Sequence, residues 1–347
     1  MSNNSIQLAV VAIASLTALG LHLNRKRCKS CVFRKRSGFF SSVDDTLDGN
    51  NTTALMLECD KAHTACVQDL LQRGAKPDRK DSNGNTALIW AAQSGQVECI
   101  LLLLAAGVNV NKRGASEYTA LHHATMNGCV YSAKVLLAHR ADINCRDKDG
   151  NTPLMLAIVL GLDLCIELLL EHGAKLDLEN CSGETALIIA CQAGSLATLK
   201  LLLATMSGLR TIDISDNYSS TALIHACRGS HYECVKLLLD HNANAEIRNY
   251  KGRTGLMEAC RRGHSVCVSL LLEYRVRMNV QDNLGYTALM LACRHTRPAC
   301  VQLLLGAQAD PDLTDSLGNT AYHYAIEADN IEAAEAILDM FSLLHMS

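Results

Sequence analysis

The sequence predicts an all-α solenoid, in which helix–turn–helix units stack in line and each projects a β-hairpin tip. Two observations carry that expectation. A threonine followed by a small residue and then an aliphatic or aromatic one recurs at Thr53, Thr86, Thr119, Thr152, Thr185, Thr221, Thr254, Thr287 and Thr320. Successive spacings are 33 residues, apart from one of 36, and self-similarity at a fixed period of this size marks a repeat architecture. The second observation is compositional. The chain is 49% hydrophobic, yet it holds only 9 Tyr, 4 Phe and 1 Trp, so its core is built from Leu, Ala, Ile, Val and Cys. That much apolar surface excludes disorder over most of the length. A net charge of −3 gives no global basic field directed at nucleic acid.

Taken in chain order, residues 1–5 form a short tail. Residues 6–23 are 18 positions without Asp, Glu, Lys or Arg, and 13 of them are Ile, Leu, Val or Ala. As a helix the run spans about 27 Å, just enough to cross a bilayer core. Residues 24–37 follow with seven cations (Arg25, Lys26, Arg27, Lys29, Arg34, Lys35, Arg36) and no acid. No cation precedes the apolar run, so the positive-inside rule puts its C-terminal side in the cytosol. A cleavable secretory signal would carry charge first and would send many thiols into an oxidising space. The expectation is an uncleaved signal-anchor at the mitochondrial outer membrane or endoplasmic reticulum, with the repeats facing the cytosol; a cytoplasmic chain is the alternative. Cys28 and Cys31 would then lie beside the membrane as candidates for palmitoylation. A lone CxxC is a weak metal signal. Residues 24–47 as a whole read as a basic juxtamembrane segment and linker.

The remaining 300 residues divide into nine units: 48–80, 81–113, 114–146, 147–179, 180–215, 216–248, 249–281, 282–314 and 315–347. The fourth shows the grammar. Asp147-Lys148-Asp149-Gly150 is a turn signal in which Gly150 is free to adopt positive φ. Thr152 is placed to cap a helix, and Pro153 sits at its first position, where a missing N–H costs nothing. A helix over 154–160 stops at Gly161, and a second over 164–171 ends at Gly173. Helices this short are marginal alone, so stability comes from stacking.

These residues resemble the ankyrin repeat over 48–347. The pattern is DxxGxTxL followed by Ala, Gly, Leu-Leu-Leu and Gly-Ala, and Asp81 to Leu88 with Leu101 to Gly107 match it closely. Departures are local. Glu117 and Ser219 replace the tip glycine, Ala62, Ser230, Thr296 and Asp329 replace the inter-helix glycine, and the insertion falls near 206–211. The resemblance implies a non-enzymatic binding scaffold whose ligands meet the tips and first helices on a concave face.

Eleven cysteines keep register. Cys59, Cys191, Cys227, Cys260 and Cys293 share one slot, and Cys66, Cys99, Cys165, Cys234, Cys267 and Cys300 share another. Both slots point into the stack in the ankyrin pattern, so these thiols are expected as small buried hydrophobes in a reducing compartment. Four converging metal ligands are not expected from such spacing, and no metal or cofactor is assigned. No GxSxG, P-loop, HExxH or kinase signature occurs, so no catalytic residue is assigned. His122, His123, His225 and His323 read as structural.

The partner-binding expectation falls on units six to eight: Tyr218, Arg228, Tyr250, Lys251, Arg253, Arg261, Arg262, Tyr286, Arg294 and His295. Over 216–314 there are 11 Lys and Arg against 9 Asp and Glu, so these cations are focused on one face rather than being in large excess. Arg and Tyr dominate binding hot spots, and the expected ligand is an acidic or phosphorylated peptide. RNA is the rival, since bases stack in aromatic–basic grooves. Asn144, closing the 136–144 segment, resembles the ankyrin motif taken by an asparaginyl hydroxylase.

Overall fold

A computed structural model describes residues 44–205 and 212–344. The apolar run 6–23, the basic flank with Cys28 and Cys31, and the insertion at 206–211 all lie outside them. Among the described residues no helix is long and apolar enough to cross a membrane.

The described residues form eighteen α-helices in consecutive pairs: α1 Ala54–Asp60 and α2 Thr64–Gln72, α3 Ala87–Gln93 and α4 Val97–Ala105, α5 Ala120–Met126 and α6 Val130–Ala138. There follow α7 Pro153–Val159 and α8 Asp163–Glu171, α9 Ala186–Ala193 and α10 Leu196–Thr205, α11 Ala222–Gly229 and α12 Tyr232–Asp240. The last are α13 Gly255–Arg262 and α14 Ser265–Glu273, α15 Ala288–Arg294 and α16 Pro298–Gly306, and α17 Ala321–Glu327 and α18 Ile331–Leu344. The fourth unit's helices begin one residue earlier than the turn signals imply, and Gly161 and Gly173 take φ of 66° and 78° in the turns that follow them.

Threonine starts the first helix of each pair. The Thr287 hydroxyl accepts from the Met290 N–H at 3.2 Å, and Thr53 and Thr152 cap Met56 and Met155 in the same way. In return the methionine sulfur accepts from the threonine N–H, at 3.4 Å in the Met290 case, which closes a reciprocal cap. In the third unit His122 Nδ1 takes that role at 3.1 Å. The structural reading of His122 therefore holds: it is fully buried, and burial lowers its pKa to about 4 despite the Asn151 carbonyl on its other nitrogen.

The tips correct the expectation of β-hairpins. No strand forms among the described residues, only isolated antiparallel bridges between Thr46 and Thr53 and between Ser215 and Thr221. The turns are closed by side chains instead. Asp81 Oδ1 accepts from the N–H groups of Asn83 and Asn85 at 2.9 and 2.8 Å. Asp147, Asn180, Asp216, Asn249, Asp282 and Asp315 repeat this, each accepting from the residues two and four ahead. An Asx side chain mimics the backbone partner that a strand would have supplied. Unit three has Gly114 in the Asx slot, and its tip collapses into a 3₁₀ turn, Ala115–Glu117, with Ser116 and Glu117 both at positive φ.

The chain falls into two compact blocks, one ending at Asn109 and the other beginning at Val110. Within each, first helices pack on first helices and second helices on second. In the second block one buried cluster runs from Leu154 to Ile337. All eleven in-register thiols are buried and unbridged, as the ankyrin pattern implies. Cys59 shares a thiol hydrogen bond with Cys99, and Cys260 with Cys300, linking a first helix to the second helix of the following unit. Burial raises the Cys191, Cys227 and Cys260 thiols well above their ordinary values and pushes Cys293 up to about 12, so these groups stay neutral.

Candidate recognition face

Seven of the ten residues expected at the partner site line one cavity of about 440 Å³: Tyr218, Arg228, Tyr250, Lys251, Arg253, Arg261 and Arg262. They come from two consecutive tips and the last turns of α11 and α13. The remaining two lining residues, Asn249 and Glu258, were not singled out from the sequence.

Glu258 is the centre of the cavity. It sits in the first turn of α13 with a buried side chain. Arg261, one turn on, donates to its Oε2 from Nε at 3.3 Å and Nη2 at 3.1 Å. Arg228 Nε lies 3.8 Å from the same oxygen, Arg253 Nη1 lies 4.0 Å from Oε1, and Asn249 Nδ2 donates to Oε1 at 3.4 Å. Arg253 also donates through Nε to Asp282 at 2.9 Å. Burial works to raise the Glu258 carboxyl, but Arg261, Arg228 and Arg253 outweigh it and hold it below its ordinary value. One buried carboxylate thus fixes three guanidiniums at the floor, and a buried charge needs such partners to be tolerated. A guanidinium has five donors, so each keeps others to offer a ligand.

The signal for Glu258 was present but faint. It stands nine residues after an Asx turn residue, the spacing at which Trp90, His225 and Tyr324 reach back to Asp81, Asp216 and Asp315.

The walls differ from the floor. Tyr218 and Tyr250 are 61% and 55% exposed, with ring centroids 5.6 Å apart, and Lys251 Nζ stands 5.4 Å from the Tyr250 ring centre. Arg262 makes no ion pair among the described residues. The next unit corrects one expectation: Tyr286 is only 7% exposed and cannot serve as a contact residue. Its ring lies 5.3 Å from that of Tyr324, and its hydroxyl accepts from Arg294. Tyr324 donates in turn to Asp315. Arg294 rests over both rings, 5.3 and 5.6 Å from their centres. Tyr286 is the support that orients Arg294. His295 beside it is held below its ordinary pKa by burial and by Arg261, Arg294, Arg297 and Arg253, a measure of the positive potential there.

Asn144 has a structural task. Its Oδ1 accepts from the Lys175 N–H at 2.9 Å, joining successive units, as Asn111 does with Asp142 and Asn279 with Asp310. No group of three or more metal-ligating side chains with metal-holding geometry occurs among the described residues.

The family profile described as "Ankyrin repeats (3 copies)" matches residues 29–114, 112–180, 165–249 and 256–343. The chain belongs to the ankyrin-repeat family. No curated protein matches the sequence. Ankyrin repeats are generic protein-interaction modules, and the cavity around Glu258 lies where ankyrin tips meet the ends of first helices.

Proposed function

We propose that this ankyrin protein is a non-enzymatic scaffold of nine repeats that grips an acidic or phosphorylated peptide across repeats six to eight. The observation that supports this reading is the floor of the cavity: three guanidiniums held around one buried carboxylate, with Lys251 and Arg262 exposed at the rim. Taking Arg228, Lys251, Arg253, Arg261 and Arg262 against Glu258 and Asp282, five positive charges face two negative ones, a surplus of three. Preorganised donors lower the ordering cost of binding, and Arg forks match carboxylate and phosphate geometry.

The best test avoids the floor, because removing Arg228 or Arg261 would strand Glu258 and perturb stability along with binding. Lys251→Ser with Arg262→Ser removes rim charge only. Capture of an acidic peptide should weaken at least several-fold with an unchanged melting temperature; undiminished capture would reject the site.

The apolar run 6–23 and its basic flank support a membrane tether with the repeats in the cytosol, which would raise local concentration for partners on the same membrane. Alkaline extraction of membranes from cells expressing the chain with and without residues 1–37 tests this. Release of the full chain into the supernatant counts against a spanning anchor.

A further inference from the structure

The basic residues of units seven and eight gather in two places, and the cavity around Glu258 is only the first. The second lies where α13 turns into α14 and α15 turns into α16. Arg294, His295 and Arg297 are exposed there, beside exposed Arg262. Arg294 is oriented by the rings of Tyr286 and Tyr324 beneath it. Arg297 is laid across the neighbouring turn: a Cβ added to Gly263, which holds φ 85°, would lie 2.6 Å from Arg297 Cδ and 3.0 Å from its Nε. Glycine is needed at 263 both for that backbone and for that room.

Arg297 departs from the pattern of its slot. His231 and His264 hold that slot in the two units before it, and their Nε2 atoms reach the carbonyls of Gln192 and Arg228 in the preceding unit at 3.3 and 3.2 Å. Those imidazoles tie unit to unit. The Arg297 guanidinium makes no such bond and no ion pair among the described residues, so its donors face water. Burial holds His264 below its ordinary pKa against the Arg228 carbonyl, and Arg262, Arg297 and His231 lower it further. The leading charges on His264 and on His295 are thus all basic.

The two clusters keep a fixed separation. Tyr250 N–H donates to the Tyr218 carbonyl at 2.9 Å, Asn283 N–H to that of Lys251 at 3.0 Å, and Ser316 N–H to that of Leu284 at 3.0 Å. These bonds join consecutive tips, so units six to nine form one edge. Charge then decides what the pair of clusters takes. Arg294 and Arg297 add two positive charges, and Asp315, bonded to Tyr324 behind them, adds one negative charge, which raises the surplus of three around the cavity to four. A phosphorylated side chain carries about 1.5–2 negative charges at neutral pH and three acceptor oxygens. One such group leaves about half the surplus unmatched, and two match it. Carboxylates would have to be four, yet the basic groups converge at two places. We propose that Arg294, His295 and Arg297 form a second anion subsite, and that the ligand is a segment of another protein phosphorylated on two side chains. One phosphoryl group sits in the Glu258 cavity and the other on the turn cluster, where guanidinium forks meet its oxygens. The inference rests on the anionic-peptide reading above and adds to it a second site and a phosphorylation state.

Fluorescence anisotropy on the full chain with labelled Gly-Ser peptides tests it. The probes carry one phosphoserine, two phosphoserines joined by spacers of graded length, or glutamates in place of both phosphoserines. The best doubly phosphorylated peptide should bind about tenfold or more tighter than the singly phosphorylated one, since the second contact is made at high effective concentration. Arg297→Gln, which removes a side chain without a protein partner, should cut that advantage several-fold at an unchanged melting temperature. Arg294→Ser with Arg297→Gln should erase it. Neither variant should move the single phosphopeptide by more than about twofold. Equal affinity for one and two phosphates at every spacer length overturns the second subsite while the anionic reading stands, as does an equal loss for both phosphopeptides in the Arg297 variant. Glutamate peptides that bind as tightly as the phosphopeptides overturn the phosphoryl assignment. Binding of none of them overturns both readings. Displacement of the doubly phosphorylated peptide by a short oligouridylate with a steep salt dependence gives the face to RNA and likewise overturns the proposal.

Discussion

Arg261 places both Nε and Nη2 on a single oxygen of Glu258, at 3.3 and 3.1 Å, three residues apart on one helix. The pair locks the floor of the recognition face before any ligand arrives. Arg261→Ser should cost about 2 kcal/mol in urea unfolding, below the ~3–5 kcal/mol of a lone buried pair because Arg228 and Arg253 remain. Adding Glu258→Gln should recover most of the loss. A stability change within about 0.5 kcal/mol for Arg261→Ser alone would mean that Glu258 is not held as described.

Glu258 also predicts an acid response. Its folded pKa lies below its unfolded value of about 4.3. Its contribution is therefore complete above that pH and is lost as pH falls through the folded value. Thermal melts of the chain and of Glu258→Gln should converge as pH falls below the ordinary carboxylate range; parallel curves would contradict the depressed pKa.

His122 acts in a milder range. Its folded pKa of about 4 lies below the unfolded value of about 6.5, so the unfolded state binds the proton first. Stability is full above about pH 6.5 and declines from there to about pH 4, by up to about 3 kcal/mol. Replacement by Gln should flatten stability over that interval. A titration of His122 Cε1 by NMR near pH 6.5 would refute the shift.

Thr296 carries a β-branched side chain at φ 52°, where glycine usually ends the first helix. That conformation costs a branched residue on the order of 1–2 kcal/mol. Thr296→Gly should stabilise the chain by about 1 kcal/mol, read as a shift in urea midpoint at constant m-value. A fall in stability would show that exposed Thr296 makes a favourable contact.

Of the fourteen described cysteines, twelve are buried and only Cys181 is exposed. An aromatic disulfide reagent should modify Cys181 rapidly, half-buried Cys129 more slowly, and the eleven in-register thiols at the rate of unfolding. Fast labelling of Cys227 or Cys260 in the native state would be incompatible with their burial.

The stack was readable because its signals are periodic: nine threonines and eleven thiols in register identify the helix starts and the inward slots. Arg228, Arg261 and Arg294 were readable for the same reason. The β-hairpin tips were misread because turn residues announce a reversal without saying whether backbone or an Asx side chain closes it. Glu258 escaped notice because an acid among arginines looks like ordinary helix-surface charge until its burial is known. Tyr286 was misassigned in the opposite sense, since its slot is buried or half-buried in every unit, and here Tyr324 and Arg294 lie against the ring.

From unit four to unit eight the tip-to-tip hydrogen bonds treat every member alike: each donates behind and accepts ahead. Gene duplication of one whole unit would preserve each of those bonds and lengthen the comb by a single tooth.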